Sequence, residues 1–116
     1  MAERKRLPAR FFESDKGTAP VRDWLLSLNQ ADRRAIGDDI RTGEFGWPVG
    51  MPLCRALKGR KGLWEVRSNL ADGRIARVFF CAHDGSMVLL HGFIKKSQKT
   101  PDNELEIAER RMRGLT

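Results

Sequence analysis

Three charged residues stand at alternate positions in two neighbouring segments of the chain. Glu65 and Arg67 alternate with apolar residues in the first segment, and Arg77 does so in the second. Such alternation is typical of strands that have one face in the core and the other open to solvent. A turn at residues 71–73 pairs Arg67 with Arg77, whereas a two-residue turn would set Arg67 opposite core-facing Val78. The sequence therefore predicts two guanidiniums side by side on an open sheet face, where they can grip a phosphate and stabilise the charge that builds on it.

The arginine pair has two interpretations. Like charges directly opposite each other across strands are mildly destabilising, so Arg67 and Arg77 require a nearby carboxylate or a bound anion. Glu65 can supply that carboxylate through a diagonal salt bridge to Arg77, and the arrangement would then be purely structural. The functional interpretation is an anion site. The residues alone leave both open.

A second basic cluster follows the last predicted strand. Lys95, Lys96 and Lys99 stand between that strand and the N-terminus of a helix, a position that suits phosphate binding. Lysines at strand ends are also a common protection against edge pairing. Because residues 87–94 are apolar at both parities, the strand pattern does not decide whether Lys95 or Lys96 shares the arginine face. We expect one of the two to do so.

The remaining reactive residue types narrow the chemistry further. The chain has no tyrosine, so acid–base catalysis must use lysine, arginine, glutamate or histidine. His91 lies within an apolar strand, where a lone histidine is more often a satisfied core residue than a catalyst. Cys54 and Cys81 lie in apolar surroundings without the spacing of a metal or redox site, which predicts buried free thiols and no metal.

The distribution of charge indicates the kind of partner. The net charge is +7, and residues 51–100 hold ten of the Lys and Arg side chains against three carboxylates, so this segment accounts for the whole excess. A basic block within a folded domain attracts polyanions, nucleic acid first among them. The alternative is that these side chains only keep the protein soluble. The charged start leads into no apolar leader, and no stretch reaches the roughly 18 apolar residues of a membrane span, so we expect a cytoplasmic protein.

The elements that position these residues predict one α+β domain over residues 1–116. A strand over 10–13 is followed by a helical hairpin. Thr18 can cap its first helix, Pro20 suits the first turn of that helix, and the second helix starts after Asn29. A short strand over 53–57 follows. The antiparallel sheet then has three further strands, over 63–70, 74–82 and 87–95, and a helix from Thr100 to Gly114 ends the chain.

Two motifs carry a resemblance to a known group of proteins. Gly-Leu-Trp-Glu-Val-Arg spans residues 62–67, and His-Gly-Phe-Ile-Lys-Lys-Ser-Gln-Lys-Thr-Pro spans residues 91–101. Together with the order of elements, they resemble the phage-derived, HigB-like branch of the RelE/ParE superfamily of type II toxins. The resemblance covers about the last two thirds of the chain, and it implies a RelE-like fold.

The resemblance also implies an activity and a set of site residues. It implies an endoribonuclease that enters the ribosomal A site and cuts messenger RNA without metal or cofactor, by attack of the RNA 2′-hydroxyl on the adjacent phosphate. A cognate helix-turn-helix antitoxin would silence it. By position, Arg77 matches the arginine at the scissile phosphate, Glu65 and Arg67 match other active-site positions, and Lys95 or Lys96 matches the basic residue near the leaving group. We expect RNA to be bound by Lys58, Arg60, Lys61, Phe79, His91 and Lys99.

One position departs from the family pattern. Phe79 and Phe80 stand where related toxins often carry a tyrosine after the strand arginine. Phenylalanine can still stack on a base, but it cannot donate a proton. Catalysis would then either be weaker or rest on a lysine whose pKa is lowered by cationic neighbours. Two alternatives stay open: a toxin of the same fold that binds gyrase through its helical hairpin, and a domain that binds RNA without cutting it.

Overall fold

A computed structural model describes residues 4–95 and 101–115 of the chain. It has an α+β architecture of three helices and one five-stranded mixed sheet, as the sequence predicts for the class. In chain order the elements are β1 (Ala9–Phe11), α1 (Pro20–Ser27), α2 (Gln30–Gly46), β2 (Cys54–Ala56), β3 (Trp64–Asn69), β4 (Ile75–His83), β5 (Ser86–Lys95) and α3 (Asp102–Arg113).

The sheet is mixed and not wholly antiparallel. Its strand order is β1-β5-β4-β3-β2, and β1 runs parallel to β5 while every other pair is antiparallel. Backbone bonds extend the parallel pair at both ends, since Met87 N donates to Pro8 O and Phe12 N donates to Leu89 O. The first strand of the chain thus lies beside the last, so the sheet brings together residues that are far apart in sequence.

The helical hairpin forms as predicted, but its first cap is different. Ala19 occupies the N-cap position of α1 without a side-chain bond, so the expected capping by Thr18 is wrong, and Pro20 at the first helical position starts the helix instead. Asn29 caps α2, because its side chain accepts a hydrogen bond from the backbone N–H of Asp32 at 2.8 Å. Pro20 therefore starts the first helix of the hairpin, and Asn29 caps the start of the second.

The predicted register of the β3–β4 hairpin is confirmed. Arg67 pairs with Arg77, and Leu70 N donates to Arg74 O across a three-residue turn at Ala71–Gly73. Asp72 and Gly73 both take positive φ in this turn, at 62° and 72°. The two strands therefore place Arg67 and Arg77 side by side on one face of the sheet.

Both faces of the sheet are covered, which corrects the expectation that the arginine face is open to solvent. Helices α1 and α2 pack on one face, and Val66, Val78 and Phe80 are buried beneath them. On the other face, α3 packs its apolar stripe, including the fully buried Ala108, against Phe79. The physical reason is the stripe itself, since the apolar side of α3 must be buried against some surface.

A bulge in β5 explains why this strand has apolar side chains at both odd and even positions. The pairing shifts between Phe79 and Phe80, so that Phe79 faces His91 while Phe80 faces Leu89. The extra residue, Leu90, is fully buried on the α3 face together with Phe79. After this shift the residues that follow alternate in step with β4, and Lys95, which pairs with Ile75, lies on the face that carries Arg77.

The two cysteines are buried free thiols, as predicted. Burial, with a smaller effect of Asp39, raises the pKa of Cys54 to about 11, and burial also raises the pKa of Cys81. Both thiols are therefore poor nucleophiles at neutral pH. Among residues 4–95 and 101–115, no three His, Cys, Asp or Glu side chains are grouped so as to hold a metal, and no helix in that part of the chain is long and apolar enough to cross a bilayer.

Candidate active site

Glu65 is the centre of a buried charge cluster on the α3 face of the sheet. Its Oε1 accepts a hydrogen bond from Arg77 Nη1 at 2.7 Å and forms an ion pair with Arg55 Nη2 at 2.6 Å. Glu65 is 1% exposed and Arg77 is 4% exposed. The diagonal Glu65–Arg77 salt bridge, one of the two interpretations of the sequence, is therefore present, and Arg55 joins it from the edge strand β2.

The buried pair leaves hydrogen-bonding capacity unused. Glu65 Oε2 and Arg77 Nε are buried and have no hydrogen-bond partner among the described residues. Both side chains line a small pocket of about 20 Å³, bounded on its outer side by Met51, Pro52 and Leu53. A space of that size holds about one water molecule, which can accept from the arginine and donate to the carboxylate.

Arg67 differs from its cross-strand neighbour Arg77. It is partly exposed, lines the same pocket, and has no ion-pair partner within the described part of the chain. It also borders a surface cleft of about 630 Å³ that Asp38, Asp39 and Pro52 help to line. Arg67 is thus the cation of the pair that a ligand from solvent can reach.

Lys95 adds a further cation at the end of β5. It is buried, and burial lowers the pKa of its ammonium group, an effect that the nearby charge of Arg77 reinforces and that of Glu65 opposes. Arg55 and Arg67 lower the pKa further. Lys95 therefore shares the electrostatic environment of the cluster, and its proton is more readily given up than that of an ordinary lysine.

Arg55 is a member of the cluster that the sequence interpretation missed. It pairs with Glu65 across the β2–β3 ladder, and its side chain is 46% exposed while its guanidinium contacts the buried carboxylate. The available signal was its place in the short strand over 53–57, but three paired residues show no alternation that would identify a face.

Within the described part of the chain, the predicted RNA-binding residues do not form one surface. Lys58 and Lys61 are exposed in the loop between β2 and β3, whereas Arg60 in the same loop forms a salt bridge with Glu109 of α3. Lys99, and Lys96 of the predicted catalytic residues, lie outside the described residues. The loop therefore contributes two exposed lysines and one salt bridge to the last helix.

Phe79 and His91 lie beneath α3, which corrects the expectation that they face RNA. Phe79 is completely buried and packs edge-on against Phe93, so it cannot stack on a base in this conformation. His91 Nε2 lies 2.6 Å from Glu104 Oε2, and its Nδ1 lies 3.4 Å from Arg111 Nη1. These contacts agree with a satisfied histidine that holds α3 on the sheet.

Comparison with known proteins assigns a family to this arrangement. The profile of a family described as phage-derived protein Gp49-like (DUF891) matches residues 23–113, which is most of the chain and includes every residue of the cluster. The chain belongs to this Gp49-like family. No curated protein matches it. At a coarse level, Gp49-like membership is consistent with a toxin of a toxin–antitoxin system of the RelE/HigB type.

Proposed function

We propose that this Gp49-like protein is a toxin that cuts messenger RNA on the ribosome and that a cognate helix-turn-helix antitoxin neutralises it. The observation that carries the proposal is the cluster at the edge of the sheet, where four cations surround one carboxylate, Glu65. The cations are Arg55, Arg67, Arg77 and Lys95. The ion pairs of Arg55 and Arg77 both use this one carboxylate, so the cluster keeps an excess of positive charge that suits a polyanion.

We assign the contact with the scissile phosphate to Arg67 and not to Arg77, the residue that the resemblance matches to it. It is the accessible cation of the pair, while Arg77 is held by Glu65 at 2.7 Å. A guanidinium fork matches two phosphate oxygens and stabilises the negative charge that grows on them during reaction. Arg77 contributes a fixed positive charge behind the phosphate and keeps the carboxylate of Glu65 in place.

In this mechanism Glu65 and Lys95 transfer the protons. Oε2 of Glu65 is buried in this conformation, so catalysis requires Met51, Pro52 and Leu53 to move aside when RNA binds. Oε2 then accepts the proton of the RNA 2′-hydroxyl, and the 2′-oxygen forms a bond to the adjacent phosphorus. The bond from phosphorus to the 5′-oxygen breaks, and the ammonium group of Lys95 gives its proton to that oxygen. The products are a 2′,3′-cyclic phosphate and a 5′-hydroxyl, and no metal is required. Because its pKa is lowered, Lys95 is a stronger acid than an ordinary lysine.

The chemistry is tested by replacing the attacking group. A messenger with a single 2′-deoxynucleotide on the 5′ side of the cut should escape cleavage there while neighbouring codons are still cut, because the deoxynucleotide has no nucleophile. The fragments from unmodified messenger should end in a cyclic phosphate. Cleavage at the deoxynucleotide would contradict the mechanism, since only an external water could then attack.

The buried Glu65–Arg77 salt bridge supports a second candidate, a domain that binds RNA without cutting it. A carboxylate held by two arginines also serves as a structural anchor for the sheet edge. Such a domain should bind RNA in a salt-sensitive way and leave it intact.

If messenger stays intact while growth stops, the gyrase-binding alternative is tested by a supercoiling assay.

A further inference from the structure

Met51 is a large apolar side chain exposed beside the charge cluster. Its side chain is 71% exposed, and it lines the pocket that contains Glu65, Arg67 and Arg77. Exposed apolar side chains that stand singly are common on protein surfaces and need no explanation. Here, however, the side chain stands at the rim of a site whose inner residues are charged. A thioether at that place excludes water from a bound ligand, which stabilises the complex only if the ligand has an apolar face.

The loop that carries Met51 is anchored in the core on one side. Trp47 packs edge-on against Trp64 at 5.0 Å between ring centroids and against Phe80 at 5.5 Å. On the other side, Cys54 N donates a hydrogen bond to Gly50 O. The backbone on both sides of Met51 is thus fixed to the sheet, and the side chain is held out at a defined place relative to Arg67.

No aromatic residue is available to stack on a nucleotide in this pocket. The described residues that line it are aliphatic or charged, and Phe79, the candidate for stacking, is buried beneath α3. Recognition of single-stranded RNA relies on a flat or soft apolar surface for the bases beside cations for the phosphates. A methionine thioether is polarisable and makes favourable contacts with aromatic rings.

We propose that Met51 contacts the face of the base next to the scissile phosphate and so determines which codons are cut. The proposal rests on the proposed ribonuclease function and adds the residue that sets its base preference. The pocket itself is too small for a nucleotide, so Arg67 holds the phosphate at its mouth, and Met51, on the rim of the same pocket, contacts the base attached to that nucleotide. Because a purine offers a larger face than a pyrimidine, the contact favours cleavage beside purines.

The test compares cleavage patterns of three variants on one translated messenger. Met51→Ala should lower cleavage beside purines by roughly three- to tenfold, the range of a thioether–aromatic contact, and change cleavage beside pyrimidines less. Met51→Leu, which keeps the apolar bulk, should retain most of the purine preference. Leu26→Ala removes a side chain that is 62% exposed on α1, away from the pocket, and should leave the pattern unchanged. An unchanged ratio of purine to pyrimidine cuts in Met51→Ala would overturn the proposal.

A binding measurement separates this proposal from the ribonuclease function itself. Fluorescence anisotropy with 2′-O-methyl hexamers of adenosine and of uridine reports base contacts without any cleavage. If the wild-type protein cuts no messenger, the ribonuclease function fails, but preferential binding of the adenosine hexamer that Met51→Ala abolishes would still support the contact. Equal binding of both hexamers by wild-type protein and Met51→Ala, or binding of neither, would overturn it.

Discussion

At the scale of single residues, Arg67 and Arg77 have different roles although they are cross-strand partners. Arg77 lies inside the protein with its guanidinium on Glu65, whereas Arg67 reaches the surface of the same pocket. A buried charge that loses its partner is costly, while a partly exposed arginine without a partner contributes little to folding. Loss of stability and loss of activity should therefore separate between the two positions.

Arg77→Ala should lower the free energy of unfolding by roughly 3 kcal/mol, because Glu65 then keeps only the half-exposed Arg55. Arg67→Ala should change it by less than about 0.5 kcal/mol, as at an ordinary surface position. Urea denaturation of both variants measures the difference. The double variant Glu65→Met/Arg77→Met should recover most of the stability, since it removes both buried charges together. Equal destabilisation by Arg67→Ala and Arg77→Ala would contradict the assignment of buried and accessible arginines.

Lys95 should titrate below the ordinary range for a lysine. Burial lowers its pKa in the folded protein, so between that lowered pKa and the ordinary lysine value the unfolded chain binds more protons than the folded one. The stability contributed at this site should therefore rise with pH across that window and be lowest below it. Nitrogen-15 NMR of the lysine ammonium groups measures the pKa directly, and Lys95→Met identifies the signal. A Lys95 signal that titrates in the ordinary range would show that the ammonium is better solvated than its burial implies.

At the scale of elements, the close approach of α1 to β5 depends on Gly92. A Cβ at this position would lie 2.4 Å from Cζ3 of Trp24, and the nearest three atoms all belong to that indole. Trp24 is partly buried and packs against the core, so its ring cannot move toward the sheet or along it without displacing neighbours. The absence of a side chain at position 92 is therefore what allows Trp24 to pack on the strand that carries Lys95.

Gly92→Ala should lower the free energy of unfolding by about 1–3 kcal/mol, the usual cost of overpacking a core. Gly37→Ala is the matched control, because a Cβ there meets nothing within 4 Å and the position lies inside α2. It should raise stability by up to about 1 kcal/mol, as expected for alanine in a helix. Calorimetry distinguishes the two outcomes. A neutral Gly92→Ala would mean that the indole can be displaced at little cost, against the packing described above.

The elements were predictable where a local pattern determined them. The Arg67–Arg77 register followed from parity, since a shift by one residue would have turned Val66 and Val78 to the wrong face. The bulge between Phe79 and Phe80 was not predictable, because residues 87–94 are apolar at both parities and a bulge is one of several ways to bury both. The parallel pairing of β1 also escaped prediction, because a three-residue strand carries too little pattern to choose a partner.

The site was predictable in composition but not in exposure. Glu65, Arg67, Arg77 and Lys95 do share one face, as the alternation and the lysine cluster suggested. The sequence did not predict which face of the sheet α3 covers, because that depends on packing between residues that are distant in the chain. The burial of Phe79 beneath it, and the salt bridge of Arg60 to Glu109, both follow from that packing.

At the scale of the whole molecule, eight of the ten Lys and Arg side chains of residues 51–100 belong to β2–β5 and the segments that connect them. These four strands carry the charge cluster, while the acidic Asp38 and Asp39 lie on α2 at the border of the cleft beside Arg67. Such a distribution orients a polyanion as well as attracting it. Binding to ribosomes or RNA should therefore weaken steeply with added salt, and sedimentation with ribosomes at increasing salt concentrations measures the slope.

The central claim is that Arg67 binds the phosphate of a messenger that is being translated. Primer extension on a messenger translated in a bacterial extract tests it most directly, with wild-type protein, Arg67→Ala, the exposed Arg34→Ala on α2 as a control, and a reaction without ribosomes. We expect cuts within codons for wild-type protein and Arg34→Ala, only when ribosomes are present, and at least a hundredfold fewer for a folded Arg67→Ala, on the order of the loss of one transition-state donor. A messenger left intact by wild-type protein, or cut equally by Arg67→Ala, would contradict the account.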